Sequence, residues 1–341
     1  MGDGLFWLGT YTGGQGTGRG IYRMRRAADG GLAEPELAAE LANPSYLALH
    51  PDGGVLYAVS ELTEGAIAAF AVEDGHRLRP LGTRPVPADP CHLAVAPDGS
   101  YLAVACYTAG AVALQRLAPD GGLHGDPKIF QGEGHGPDPS RQEGPHAHMV
   151  AFAGDGTLWS TDLGTDRIRQ FRITGGGPLP GGEVRLPAGS GPRHLVTHPS
   201  GHVYLVAELG RSVIVLRPEG GAPGGLDVLT ESPAMHGEPT PEALSAAIRT
   251  GADGRFVYTT TRGPDVITTL EVLDGGSRLR PISDYPCEGR WPRDLWVDGD
   301  VAYAANQFSE NVTIFHLDPD LGVPEYRGAV AAPTPVCLIP G

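Results

Sequence analysis

The chain has 341 residues, 51 of them glycine and 32 proline, with a formal net charge of −15 and no block of lysine and arginine. That length suits one large all-β domain as well as two smaller ones. The charge repels nucleic acid and anionic lipid, so neither is expected as a partner.

The opening MGDGLFWLGTYTGG has neither a basic leader region nor a long apolar run, and no later stretch reaches the roughly 18–20 apolar residues of a membrane span. Cys91, Cys106, Cys287 and Cys337 show neither CxxC spacing nor a compact framework, so they read as buried thiols of a reducing compartment. The expectation is a cytoplasmic protein, a monomer or weak homo-oligomer with a small-molecule partner. LFWLGTY (5–11) and GIYRMRR (20–26) read as strands flanking GGQGTGRG. Those glycines are no dinucleotide fingerprint, which must open a helix.

A repeat then runs along the chain. It begins with PSYLALHPDGGVLYAVSELTEGAIAAFAV (44–72) and PCHLAVAPDGSYLAVACYTAGAVALQRLA (90–118). It continues with HAHMVAFAGDGTLWSTDLGTDRIRQFRI (146–173) and PRHLVTHPSGHVYLVAELGRSVIVLRP (192–218). The last full copies are ALSAAIRTGADGRFVYTTTRGPDVITTLEV (243–272) and PRDLWVDGDVAYAANQFSENVTIFHLD (292–318). Each reads as strand, tight turn, strand, polar turn, strand. The turn glycines at 53, 99, 156, 201, 254 and 299 are spaced 46, 57, 45, 53 and 45 apart, close to the roughly 40–50 residues of a four-stranded propeller blade. PVCLI (335–339) starts a seventh copy that stops, while the N-terminal runs supply later strands without a first. Pairing the two ends would close a ring and remove its open edge. The expected fold is all-β: a seven-bladed β-propeller of four-stranded antiparallel blades, a single domain over 1–341, closed by the C-terminal strand on the N-terminal strands.

In a blade, the start of the first strand and the end of the second lie side by side, at the rim of the central channel. Aligned on the first strand, the ring there is Ser45, Cys91, His148, Arg193, Ala246, Arg293 and Val336. Aligned on the end of the second, it is Glu61, Cys106, Asp162, Glu208, Thr261 and Asn306. Ionisable groups are concentrated in both, and a water-filled funnel would relieve their burial cost. His92 and His194 sit next to ring positions and, by strand alternation, should face the other way. The long spacing before His148 is the insertion GEGHGPDPSRQEGPHAH, which carries Arg141 and His146 to the same rim; ESPAMHGEPTPEAL is a second insertion.

LGTYT, RQEGPHAH, TDLGTDRI, GSGPRHL and ANQFSENVTIFHLD together resemble the seven-bladed propeller lactonases, across essentially the whole chain. This family includes propeller-type 6-phosphogluconolactonases and 3-carboxy-cis,cis-muconate lactonizing enzymes. The resemblance implies an active group of histidine, arginine and glutamate with a second arginine. Those roles fall on His148, Arg193 and Glu208, with Arg249 or Arg293 as the other cation. It departs from the family pattern at Ala247, where many members carry Glu, and at Cys106 and Thr261, where Asn is usual.

A lactonase must deliver water to an ester carbonyl, stabilise the oxyanion and protonate the departing alkoxide. Glu208 or His148 would take the proton from water and the other return it, while Arg193 and Arg293 hold the oxyanion or a substrate anion. Arg293, Arg249, His146, Glu61, Asp162, Asn306 and Arg141 are the substrate-binding candidates. Arg249 is the weaker cation because TGADG follows it, and Asp162 in DLGTDR reads as a turn cap. Two histidines one residue apart can serve zinc or copper, yet the resembling lactonases work without metal, and neither metal nor cofactor is expected. No serine stands in a GxSxG elbow. The expected activity is hydrolysis of a sugar-derived lactone, most simply 6-phosphogluconolactone. The alternatives are a cycloisomerase or recruited biosynthetic ring-opening or ring-closing enzyme and, from another class, a non-catalytic binding platform. A phosphorylated substrate calls for a positive funnel, which Glu61, Asp162 and Glu208 would oppose.

Overall fold

Among the described residues, the β-branched and aromatic runs between glycine turns form 28 strands in seven four-stranded antiparallel sheets. The computed structural model describes residues 4–220 and 224–341; residues 1–3, the head of the segment read above for a leader, lie outside that description. The inner strands of successive blades touch one another around a complete circle. They are Leu47–Leu49, Pro90–Val95, Ala147–Phe152, Pro192–Thr197, Leu244–Thr250, Pro292–Asp298 and Pro335–Pro340. The last of these pairs with Gly4–Thr10 in the first blade, which closes the ring as the terminal repeats imply.

Six equivalent glycines, Gly53, Gly99, Gly156, Gly201, Gly254 and Gly299, all adopt positive φ at the turn between first and second strands. Glycine adopts that conformation at least cost, having no Cβ to crowd its own backbone, which is why the repeat is punctuated there.

The core is not one mass but seven apolar wedges, each filled by residues from two adjacent blades. Aromatic residues on second strands add a polar latch across several wedges. Tyr57 donates to the Gly121 carbonyl at 2.6 Å, Tyr204 to Gly276 at 2.9 Å and Tyr303 to Gly30 at 2.8 Å. The ring of each fills the wedge while its hydroxyl satisfies a turn carbonyl of the next blade. Among the described residues no helix is long and apolar enough to cross a membrane.

Candidate active site

The polar ring begins with a recurrent irregularity of the inner strands. In the second blade of the repeat, pairing runs from Pro90–Cys106 to His92–Ala105 and leaves Cys91 unpaired. The same slip leaves out His148, Arg193, Arg293 and Val336 in their blades. Each is the extra residue of a β-bulge, which re-aims its side chain. A cavity of about 10 Å³, roughly one water in size, lies between Ser45, Cys91, His148, Arg193, Arg293 and Val336. Six of the seven residues aligned on the first strand therefore meet there. Ala246 is not among them.

The bulges also overturn one expectation. With an extra residue inserted, strand alternation no longer sends the next side chain away. His194 packs edge-on against His148 and against His92, at 5.5 Å between ring centroids in both cases. Tyr46 covers His92 at 3.9 Å.

The second ring needs a shift of one residue in four blades. The backbone N–H groups that close the strand pair on the loop before the inner strand belong to Tyr11, Glu61, Tyr107, Leu163, Glu208 and Gln307. Arg262, opposite Leu244, is the seventh. Glu61 and Glu208 stand where the alignment puts them, but Cys106, Asp162, Thr261 and Asn306 lie one residue short. One residue reverses the face of a strand. Asn306 accordingly donates to Thr313 Oγ1 at 2.9 Å within its own blade. Asp162 accepts the His146 backbone N–H at 2.8 Å and lies 3.4 Å from Arg169 Nε, a structural cap.

Glu208 is the hub. Its carboxylate lies 2.7 Å from Arg141 Nη2, 3.1 Å from Arg193 Nε and 2.7 Å from Arg262 Nη2. Burial alone would raise its pKa, but Arg262 and Arg193 outweigh that and hold it well below the usual carboxylate range. Burial, reinforced by Arg262, brings the Arg193 guanidinium down to about 9, so it stays charged at neutral pH. Burial first and Arg193 second push the His148 imidazole well below its ordinary value, so it is uncharged at neutral pH. His148 Nδ1 is buried without a hydrogen-bond partner among the described residues.

Arg293 forms a second arm. Its Nη2 donates to Tyr11 Oη at 2.7 Å, and that hydroxyl donates to Glu61 Oε1 at 2.9 Å. Burial opposes the Arg293 charge, but Tyr11, Glu61 and Glu208 more than compensate and raise its pKa. No carboxylate pairs directly with it among the described residues. Four guanidiniums (Arg141, Arg193, Arg262, Arg293) thus face two carboxylates, Glu208 and Glu61. Two positive charges are left over.

The remaining candidates stand apart. Arg249 is neutralised by Asp294 at 2.9 Å, and its guanidinium lies 5.7 Å from the Trp296 ring. His146 stacks on Tyr107 at 4.5 Å, with Nδ1 3.1 Å from the Tyr107 carbonyl and Nε2 3.1 Å from Glu143. It holds the inserted loop in place. A cleft of about 890 Å³ beside Arg23, Arg26 and Gly341 lies at the far end of Gly4–Thr10 from Tyr11. Its Arg23 and Arg26 are paired with Glu36 and Asp298. Among the described residues no group of three or more His, Cys, Asp or Glu is arranged to hold a metal ion.

Sequence reasoning missed Arg262, Tyr11 and Tyr107. Tyr11 had a signal, because it ends the N-terminal second strand at the same rim as Glu61 and Glu208. Arg262 follows Thr261 directly, and an arginine closing an otherwise buried strand was the available clue.

The family model for the seven-bladed β-propeller lactonases matches residues 5–340. The chain is 30% identical to the 6-phosphogluconolactonase of Bacillus subtilis (strain 168), with 97% of each sequence covered. A putative 6-phosphogluconolactonase from Bacteroides fragilis has a TM-score of 0.92 to it at 29% identity, covering 100% of this chain and 98% of that one. The periplasmic gluconolactonase of Pseudomonas aeruginosa has a TM-score of 0.88 at 27% identity, with 99% of each chain covered.

Proposed function

The chain belongs to the seven-bladed β-propeller lactonase family, and on that premise we propose that it hydrolyses a sugar-derived lactone bearing a phosphate, 6-phosphogluconolactone being the simplest, in the central funnel and without a metal. The observation that carries this reading is the charge balance of the rim cluster, four guanidiniums against two carboxylates, with Arg193 and Arg293 lining the water-sized cavity beside His148. A buried excess of that sign favours a dianion, and guanidinium forks match phosphate and carboxylate geometry. Asp162, which would have opposed it, is turned onto Arg169.

The division of labour follows from protonation states. Glu208 is ionised and already engaged by three arginines, so it is a poor base; its part is to hold those cations in place. His148 is neutral and takes a proton from the attacking water as the new C–O bond forms at the lactone carbonyl. Arg293, with no carboxylate of its own, donates to the developing oxyanion, and Arg193 supports it from the adjoining bulge. When the tetrahedral intermediate collapses, the ring C–O bond breaks and the departing alkoxide takes the proton back from His148. Water is consumed, and the hydroxy acid leaves as its carboxylate, the proton of the new acid passing to solvent.

A pH-indicator hydrolysis assay over phosphorylated, plain sugar and muconate-type lactones tests this, run with and without chelator. The phosphorylated sugar lactone should be turned over most efficiently, with chelator having no effect. Equal turnover of the unphosphorylated lactone removes the phosphate reading, loss of activity with chelator removes the metal-free one, and no turnover of any lactone removes both.

A further inference from the structure

Five inner strands are preceded by an X-Pro step in which X adopts left-handed backbone: Asn43 (φ 45°), Asp89 (52°), Gly191 (58°), Trp291 (65°) and Thr334 (36°). Asn, Asp and Gly are the residues that tolerate this region. A threonine and a tryptophan there are outliers, and outliers of this kind persist where the surroundings over-determine them; only those of Trp291 lead to the hub carboxylate.

Those surroundings are specific. The Trp291 N–H donates to Asp265 Oδ1 at 2.9 Å, and its carbonyl accepts the Gln307 N–H at 3.0 Å. The backbone is therefore fixed on both sides. The indole is stacked with Phe308, with centroids 5.0 Å apart and planes 22° apart, and the Arg262 guanidinium lies 5.4 Å from its ring centroid. Arg262 Nη2 is in turn 2.7 Å from Glu208 Oε2. A column thus runs from half-exposed Phe308 through Trp291 and Arg262 to the hub carboxylate. A guanidinium held against an aromatic face loses rotational freedom and keeps its charge.

We propose that Trp291 is a positioning residue for the reaction, its indole bracing Arg262 in the orientation that holds Glu208 and presents the remaining donors to substrate. This rests on the lactonase reading above. Removing the ring loosens Arg262 and its grip on Glu208; burial and Arg193 still hold His148 low, but Arg262 then adds less to them, so the imidazole takes up its proton at higher pH, while Arg141 and Arg193 still face Glu208.

The test compares Trp291→Gly, Trp291→Asn and Trp291→Phe with wild type in lactone hydrolysis, pH profile and thermal unfolding. Gly and Asn suit the left-handed backbone, and the strain they relieve offsets the stacking lost with the ring, so their Tm should stay near the wild-type value. Their kcat/KM should nonetheless fall about tenfold, the order of one desolvated cation–π contact. The loss should lie mainly in kcat, with the acid limb moved to higher pH. Trp291→Phe, which keeps a ring, should recover most of the activity. Wild-type kcat/KM and acid limb in the Gly and Asn variants overturn the positioning role while leaving the lactonase reading intact. A Tm several degrees lower in both makes the indole a packing residue and also overturns it. If wild type hydrolyses no lactone at all, the parent reading fails and this one goes with it.

Discussion

Arg193 and Glu208 meet at 3.1 Å between Nε and Oε2, each side chain only 3% exposed, one on the inner strand and the other just past the second strand of the same blade. Arg141 and Arg262 reach the same carboxylate from the inserted loop and the next blade. One anion therefore ties three parts of the ring together. Glu208→Gln leaves three cations without their counter-ion, and the expected cost is about 3–5 kcal/mol at neutral pH. Because the folded pKa of Glu208 is depressed, its stabilisation is full above the unfolded value of about 4.3 and drains away as pH falls toward the folded one. Urea unfolding across pH should show the gap between wild type and variant closing below that point. A gap that stays constant would mean the carboxylate is not held ionised by its neighbours.

His148 is kept neutral by burial and by Arg193. Only the neutral form can act as base, so activity should be flat through neutral pH and decline only well below 6.5, the ordinary histidine value. His148→Ala should lose roughly 10²–10⁴ of kcat/KM. An acid limb centred near 6.5 in wild type would show an imidazole open to water, contrary to its setting.

Arg293 and Arg249 should behave oppositely. Arg293→Gln removes the cation assigned to the developing oxyanion, which no carboxylate neutralises, and kcat/KM for a phosphorylated lactone should fall about 10²–10³-fold, mainly in kcat. Arg249→Met instead strands Asp294, which is 1% exposed, and should lower Tm while leaving kcat/KM near wild type. Kinetics and calorimetry on the pair would expose an exchange of these effects, which would reverse the division between substrate cation and structural cation.

Tyr204→Phe keeps the ring in its wedge but leaves the Gly276 carbonyl without its donor. The expected loss is about 1 kcal/mol with unchanged turnover. A change in kcat would contradict the separation of wedge from funnel.

The repeat alone carried the architecture, because strand alternation and glycine turns recur in every copy and closure follows from the truncated ends. The first-strand ring was equally readable, since His148, Arg193 and Arg293 occupy like positions after like prolines or loops. The second-strand ring was not. Cys106, Asp162, Thr261 and Asn306 look polar or small enough to face a funnel, and only Arg262, an arginine ending its strand, locally marks the one-residue offset that Tyr107, Leu163 and Gln307 share. The convergence of His92, His194 and His148 was also hidden. It depends on a bulge, an offset in hydrogen bonding between strands that leaves no mark in either strand by itself. Arg141 shows the same limit, as its loop composition signals an insertion but not that the loop folds back onto Glu208 in a neighbouring blade.

Closure of the circle by Pro335–Pro340 on Gly4–Thr10 has a consequence for biosynthesis. Six blades draw all four strands from one continuous stretch and can assemble as they leave the ribosome, whereas the blade bearing Tyr11 must await Pro335–Pro340, which lies downstream of all six. Until that clasp shuts, Arg293 lacks the phenol beneath it and the nascent arc presents a raw strand edge where the axis will be. Catalytic competence therefore arrives late, in a single docking event, and the unclasped chain is the species most exposed to mispairing with a sibling.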